Sequence, residues 1–201
     1  MKISRALVAA AVALVLTVGT VSAAAFEPRV TFSKGTFVVS GEGSYGEQLN
    51  PQNYHDWSHL KYWNLGIRAS ILPFSPRGPS LLRGSFEIGF EPLYQKYTEP
   101  QSAYWAGLVS VFRYHFLSFG RVVPYIEGGA GAGGTDLNVR EIESNFSFLL
   151  WAGLGASVFI TDAMAVYAGY RYEHNSNGNI DPPNRGWESH AGVVGVSYYF
   201  R

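Results

Sequence analysis

The chain has 201 residues, enough for one domain or two at most. Fifteen Lys+Arg balance fifteen Asp+Glu, so no basic field exists to draw in nucleic acid. Zero cysteines exclude a disulfide scaffold, a cysteine zinc site and a thiol nucleophile. With only 15% of residues charged, 47% apolar and 23 glycines, the chain resembles neither an ordinary soluble domain nor a disordered one.

Lys2 and Arg5 open the sequence, an apolar run follows from Ala6 to Val18, and Ser22-Ala23-Ala24-Ala25 close it. This is the layout of a secretory signal peptide over 1–25, cleaved after Ala23 or Ala25. The alternative, an uncleaved membrane anchor, would need a longer apolar run. Cleavage removes two positive charges and leaves a mature chain, 26–201, with 13 Lys+Arg against 15 Asp+Glu. Export without cysteine fits a bacterial envelope.

Beyond the signal peptide no apolar run is long enough for a transmembrane helix. Instead, eight aromatic, β-branched and glycine-containing runs are expected as strands, at about 35–45, 60–72, 81–94, 103–117, 122–133, 145–160, 164–174 and 188–200. The connections 46–59, 97–102, 134–144 and 175–187 are mostly long and polar. Those at 73–80, 118–121 and 161–163 are tighter.

Alternation within the runs is strong. Trp63, Leu65, Ile67, Ala69 and Ile71 share one face of the second, against Asn64, Gly66, Arg68 and Ser70. Leu82, Phe86, Ile88, Phe90 and Tyr94 do the same in the third, and Phe146, Phe148, Leu150, Ala152 and Leu154 in the sixth. With the apolar parity outside, Glu42, Arg68, Arg83, Glu87, Glu91, Arg113, Glu127, Arg171 and Glu173 point inward. Four arginines and five glutamates can pair in a narrow lumen, where a lone charge would be costly. Glycines such as Gly107, Gly129, Gly131, Gly153 and Gly155 make room for them. The fold expected is all-β, an eight-stranded antiparallel transmembrane barrel; a soluble lipocalin-like barrel is the alternative.

Short turns then lie in the periplasm and long loops outside, so the seventh strand climbs to the cell surface near His174. His174 and Ser176 are two apart and point the same way on an extended backbone. Glu188, at the start of the next strand, returns near His174 on the lipid-facing parity, while Arg171 and Glu173 face the lumen. A serine hydroxyl needs a positioned base, and the base a third orienting group. His190, on the same face, is a rival base. The opposing reading is that Glu188, His174 and His190 all lie in the headgroup rim or loop, where polarity costs almost nothing.

His174-x-Ser176-Asn177-Gly178 followed by Asn184-x-Gly186-x-Glu188 resembles the lipid A 3-O-deacylases of the PagL type, acyloxyacyl-hydrolase-like outer-membrane barrels. The specific motif occupies about fifteen residues of a resemblance that covers the mature chain. It implies an outer-membrane serine esterase that removes the 3-O-linked acyl chain from lipid A of lipopolysaccharide. Ser176 would be nucleophile, His174 base and Glu188 its orienter, at an exterior site on the outer-leaflet side. Asn177, the Gly178 amide and Asn184 fall where oxyanion-stabilising groups would stand. No cofactor or metal is implied; the partners are lipid A and membrane lipids, with a homodimer left open. One departure is Arg201 after Phe200, where such barrels commonly end in an aromatic residue. A structural or adhesion barrel and an acyltransferase barrel are the competing functions.

Other patterns are weaker. Gly129 to Gly134 satisfy G-x-G-x-x-G without a following helix and read as packing glycines. His55 and His59 are four apart but lie in a loop without further metal-ligand context. His115 is expected inside as a partner of acidic groups. Trp57, Trp63, Tyr94, Tyr97, Tyr104 and Trp105 are expected to form an interfacial girdle.

Overall fold

The computed structural model describes residues 26–49 and 57–200. The expected signal peptide, His55 and Arg201 lie outside the described residues. A single helical turn, α1 (Pro28–Thr31), precedes strands β1 (Phe37–Leu49), β2 (Lys61–Ile71), β3 (Gly84–Glu99), β4 (Ala103–Phe116) and β5 (Val122–Thr135). Two-residue strands β6 (Asn138–Val139) and β7 (Ile142–Glu143) make a small hairpin. Strands β8 (Phe146–Phe159), β9 (Met164–Ser176) and β10 (Trp187–Phe200) complete the chain. The eight long strands form one closed antiparallel barrel, sealed where β1 pairs with β10. Closure leaves no open sheet edge, the condition for crossing a bilayer with strands. Among the described residues no helix is long and apolar enough to do so.

Side chains alternate across the wall with period two, and this decides what faces lipid. Leu65, Ile67, Leu108, Leu154 and Val194 are each more than half exposed on the outside. Such a belt would be an aggregation hazard in water and is the normal exterior of a membrane barrel. Inside, Arg68 stands among Glu91, Glu87, Glu42 and Glu127 at 3.4, 3.5, 3.7 and 3.8 Å. Arg171 pairs with Glu42 and, at 2.7 Å, with Glu127, which Arg113 also reaches at 2.7 Å. His115 Nε2 meets Glu87 at 2.7 Å. Removing one member of such a buried network leaves an uncompensated charge and costs about 3–5 kcal/mol. Room comes from glycine: a Cβ at Gly129 would run into the Trp151 ring, and one at Gly155 into the Tyr125 hydroxyl.

Some expectations are corrected. Arg83 is not a lumen residue, because Ser80–Leu82 turn as a 3-10 helix and β3 begins only at Gly84. The lumen therefore holds three of the four arginines. Tyr97 and Trp105 do not join the girdle; their inward parity buries them with Tyr62 and Trp187 in the outer mouth. Trp63, Tyr94 and Tyr104 do face out and contact one another. At the inner end Phe32, just after α1, packs with Phe159 and Tyr199, while Thr31 Oγ1 donates to the Asp162 carbonyl at 2.7 Å. β1 and β3 extend beyond the alternating runs, and there Glu47 and Glu99 both stand opposite Lys61, Glu99 in a 2.9 Å ion pair.

Candidate active site

β9 rises to the outer rim and ends at Ser176; residues 177–186 turn over, and β10 descends from Trp187. The register sets Glu188 directly opposite His174. On the other flank β8 sets Leu150 opposite His174 and Phe148 opposite Ser176. Alternation sorts the end of β9 cleanly: Arg171, Glu173 and Asn175 are buried in the lumen, whereas His174 and Ser176 are partly open on the outer wall. Glu173 accepts a hydrogen bond from the Tyr62 hydroxyl at 2.7 Å, well inside the barrel.

His174 Nδ1 and Glu188 Oε1 lie 3.1 Å apart, with the two side chains 36% and 26% exposed. A carboxylate accepting from Nδ1–H leaves Nε2 as the basic ring nitrogen. Among the described residues Ser176 Oγ has no hydrogen-bond partner. The histidine edge and the serine nonetheless converge. A Cβ built on Gly186 would stand 3.0 Å from His174 Cε1, 3.3 Å from Ser176 Cβ and 2.9 Å from the Asn175 carbonyl oxygen. Gly186, at φ +66, is in the left-handed region as well, so both its backbone and its bare α-carbon suit glycine.

Asparagines brace the connection. Asn184 Oδ1 accepts the Asn177 backbone N–H at 3.0 Å, and Asn177 Nδ2 donates to the Asp181 carbonyl at 2.6 Å. Asn179 N–H donates to Asn177 Oδ1, and Asn184 Nδ2 to Asn179 Oδ1, both at 3.0 Å. Asn177 is fully buried, with its backbone N–H and both side-chain polar atoms bonded within the connection. The Gly178 amide has no acceptor among the described residues, and a Cβ built on Gly178 would stand 3.2 Å from the Phe148 ring. His190 is set apart: it opposes Tyr172 and Glu47, and its ring approaches Tyr170 at 6.4 Å. Among the described residues no group of three His, Cys, Asp or Glu side chains could hold a metal ion.

One participant escaped the sequence pattern. The N–H groups of Arg185 and Gly186 both donate to the Glu141 carbonyl, at 2.8 and 3.3 Å, so the β6–β7 hairpin reaches the site through its main chain. A polar loop carries no periodicity that would signal this.

The structure of the outer-membrane enzyme PagL is similar at TM-score 0.57 and 20% identity, covering 79% of this chain and 97% of that one. Neisserial surface protein A is similar at TM-score 0.56 and 18% identity, covering 83% and 100%. At these identities the likeness is one of fold. No curated protein sequence matches the chain. The family model described as lipid A 3-O-deacylase (PagL) matches residues 44–197, from within β1 to near the end of β10. Matched by one family along nearly the whole barrel, the chain belongs to the lipid A 3-O-deacylases and is a bacterial outer-membrane protein that deacylates lipid A.

Proposed function

We propose that the deacylation is a serine esterase reaction carried by Ser176, His174 and Glu188. The observation that carries this reading is the bonded His174–Glu188 pair with Ser176 beside it on the lipid-facing side of the outer rim. His174 Nε2 takes the Ser176 proton as Oγ adds to the ester carbonyl at the 3-position of a lipid A glucosamine. Glu188 holds the imidazole by Nδ1 and stabilises the imidazolium that forms. The oxyanion takes a hydrogen bond from the Gly178 N–H, in a connection that Asn177 and Asn184 keep rigid. Collapse returns the proton from His174 to the sugar oxygen and leaves an acyl group on Ser176. Water, deprotonated by His174, then adds to that acyl group and releases the fatty acid and free serine.

An exterior site also suits the substrate. Lipid A diffuses in the outer leaflet with its ester near headgroup depth and need never enter the filled lumen. The test is the mass of lipid A from cells with and without expression of the chain. Loss of one acyl unit, with free fatty acid recovered, supports the esterase. The same loss from cells expressing Ser176→Ala would overturn the serine reading.

A further inference from the structure

Three outer connections meet at one residue. Glu141, between β6 and β7, is only 5% exposed although it lies in a loop beyond the barrel wall. Its Oε1 accepts from Gln48 Nε2 at 2.9 Å and from the Ser58 N–H at 2.8 Å, and its Oε2 accepts from Ser58 Oγ at 2.6 Å. Gln48 is itself fixed near the top of β1, with its Oε1 taking the Leu60 N–H at 3.0 Å. The carboxylate is thus tied to the β1–β2 side of the mouth. The carbonyl of the same residue takes the N–H groups of Arg185 and Gly186, on the β9–β10 side. Ile142 bridges Asn184 alongside.

Burial alone would raise the Glu141 carboxyl, but the hydrogen bonds from Ser58 and Gln48 hold it below the usual carboxylate range. It therefore acts as a charged acceptor, and charge-assisted hydrogen bonds are the stronger kind. Its far end bears on the reaction. Gly186 is the residue that abuts His174 Cε1 and Ser176 Cβ, and Asn184 holds the Asn177 N–H next to Gly178. The barrel needs none of this, since its ladders close without the loops.

We infer that Glu141 is a positioning residue for the deacylation, clamping the 177–186 connection, which carries the Gly178 amide, against Ser176 and His174 without touching substrate. The inference rests on the serine reading above. Its test is turnover of purified, refolded full-length protein on lipopolysaccharide, with gel mobility before and after boiling as the folding check. Glu141→Ala should lower kcat by about 10–100-fold, because small misplacements of reacting groups are expensive, while KM stays within about 2-fold. Glu141→Gln keeps an acceptor for Gln48 and the Ser58 N–H and offers Ser58 Oγ a donor, so it should recover to within about 3-fold of wild type. Wild-type kcat in folded Glu141→Ala, a change confined to KM, or Gln no better than Ala would each overturn the inference. Where Glu141→Ala does not fold, Ser58→Ala carries the test: kcat should fall about 3-fold through the lost hydroxyl bond, and an unchanged kcat overturns the inference. Ser176→Ala separates the two layers. If that variant stays active the serine reading fails; if it is dead while Glu141→Ala is normal, only the clamp fails.

Discussion

The barrel pairs histidine with glutamate in two places, one in the charged interior and one on the outer rim. His115 and Glu87 lie 2.7 Å apart with 0% and 3% of their side chains exposed, ringed by Phe32, Tyr125 and the lumen arginines. His174 and Glu188 are slightly farther apart, at 3.1 Å, and about a third open. By bond length the inner pair is the better one. Ser85 stands opposite His115 on the same face, but all three are sealed in the lumen, with no path for a lipid and no bare glycine to leave space beside the imidazole. The outer pair has Ser176 two residues along the same face and Gly186 against both. Pairing, and even a nearby serine, are common to structure and chemistry; access separates them.

The most damaging change to the outer pair's chemistry should be Ser176→Ala. Fatty-acid release should fall by about 10³-fold or more with the barrel intact, since that hydroxyl supports no packing. His174→Ala should match it and the double variant lose little more, because members of one catalytic unit are not additive. Additive losses would give the two residues separate roles. Gly186→Ala should be milder. Its methyl would press on His174 Cε1 in a left-handed backbone, and kcat should drop about 10-fold, read from initial rates on lipopolysaccharide. His190→Ala should keep activity within about 3-fold, because His190 faces Tyr172 and Glu47 and not Ser176. A dead His190→Ala beside a working His174→Ala would move the base to β10, two register positions farther down the wall. The smallest effect on turnover should come from the lumen. Arg68→Ala should destabilise the barrel by about 3–5 kcal/mol, seen as a lower temperature for the gel-mobility shift, with kcat of the folded fraction unchanged.

The barrel was legible because a membrane wall enforces period two over every strand. Phe148, Leu150 and Leu154 against Ser147, Trp151 and Gly153 admit one sheet face only. The face of the site followed from the same parity, placing His174 out and Glu173 in before any distance was known. Parity fails where the chain leaves the wall. Arg83 looked like a lumen residue until the turn at Ser80–Leu82 took it out of the strand. Tyr97 and Trp105 looked interfacial by depth, yet their side of the strand put them in the mouth. Glu141 had no pattern at all, because its partners Gln48, Ser58, Arg185 and Gly186 come from the end of β1 and from connections distant in sequence.

Glu188→Gln and Glu173→Gln make the same chemical change on opposite faces of the wall, in positions that flank the end of β9. Measured side by side for ester hydrolysis by purified protein, they test most directly whether the reaction belongs to the outside of the barrel. Glu188→Gln should lose about 10²-fold in kcat, less than a fully buried carboxylate would, because the open rim screens it. Glu173→Gln, which can still accept from Tyr62, should stay within about 2-fold of wild type. An inactive Glu173→Gln beside a normal Glu188→Gln would put the reacting groups in the lumen and contradict the exterior site.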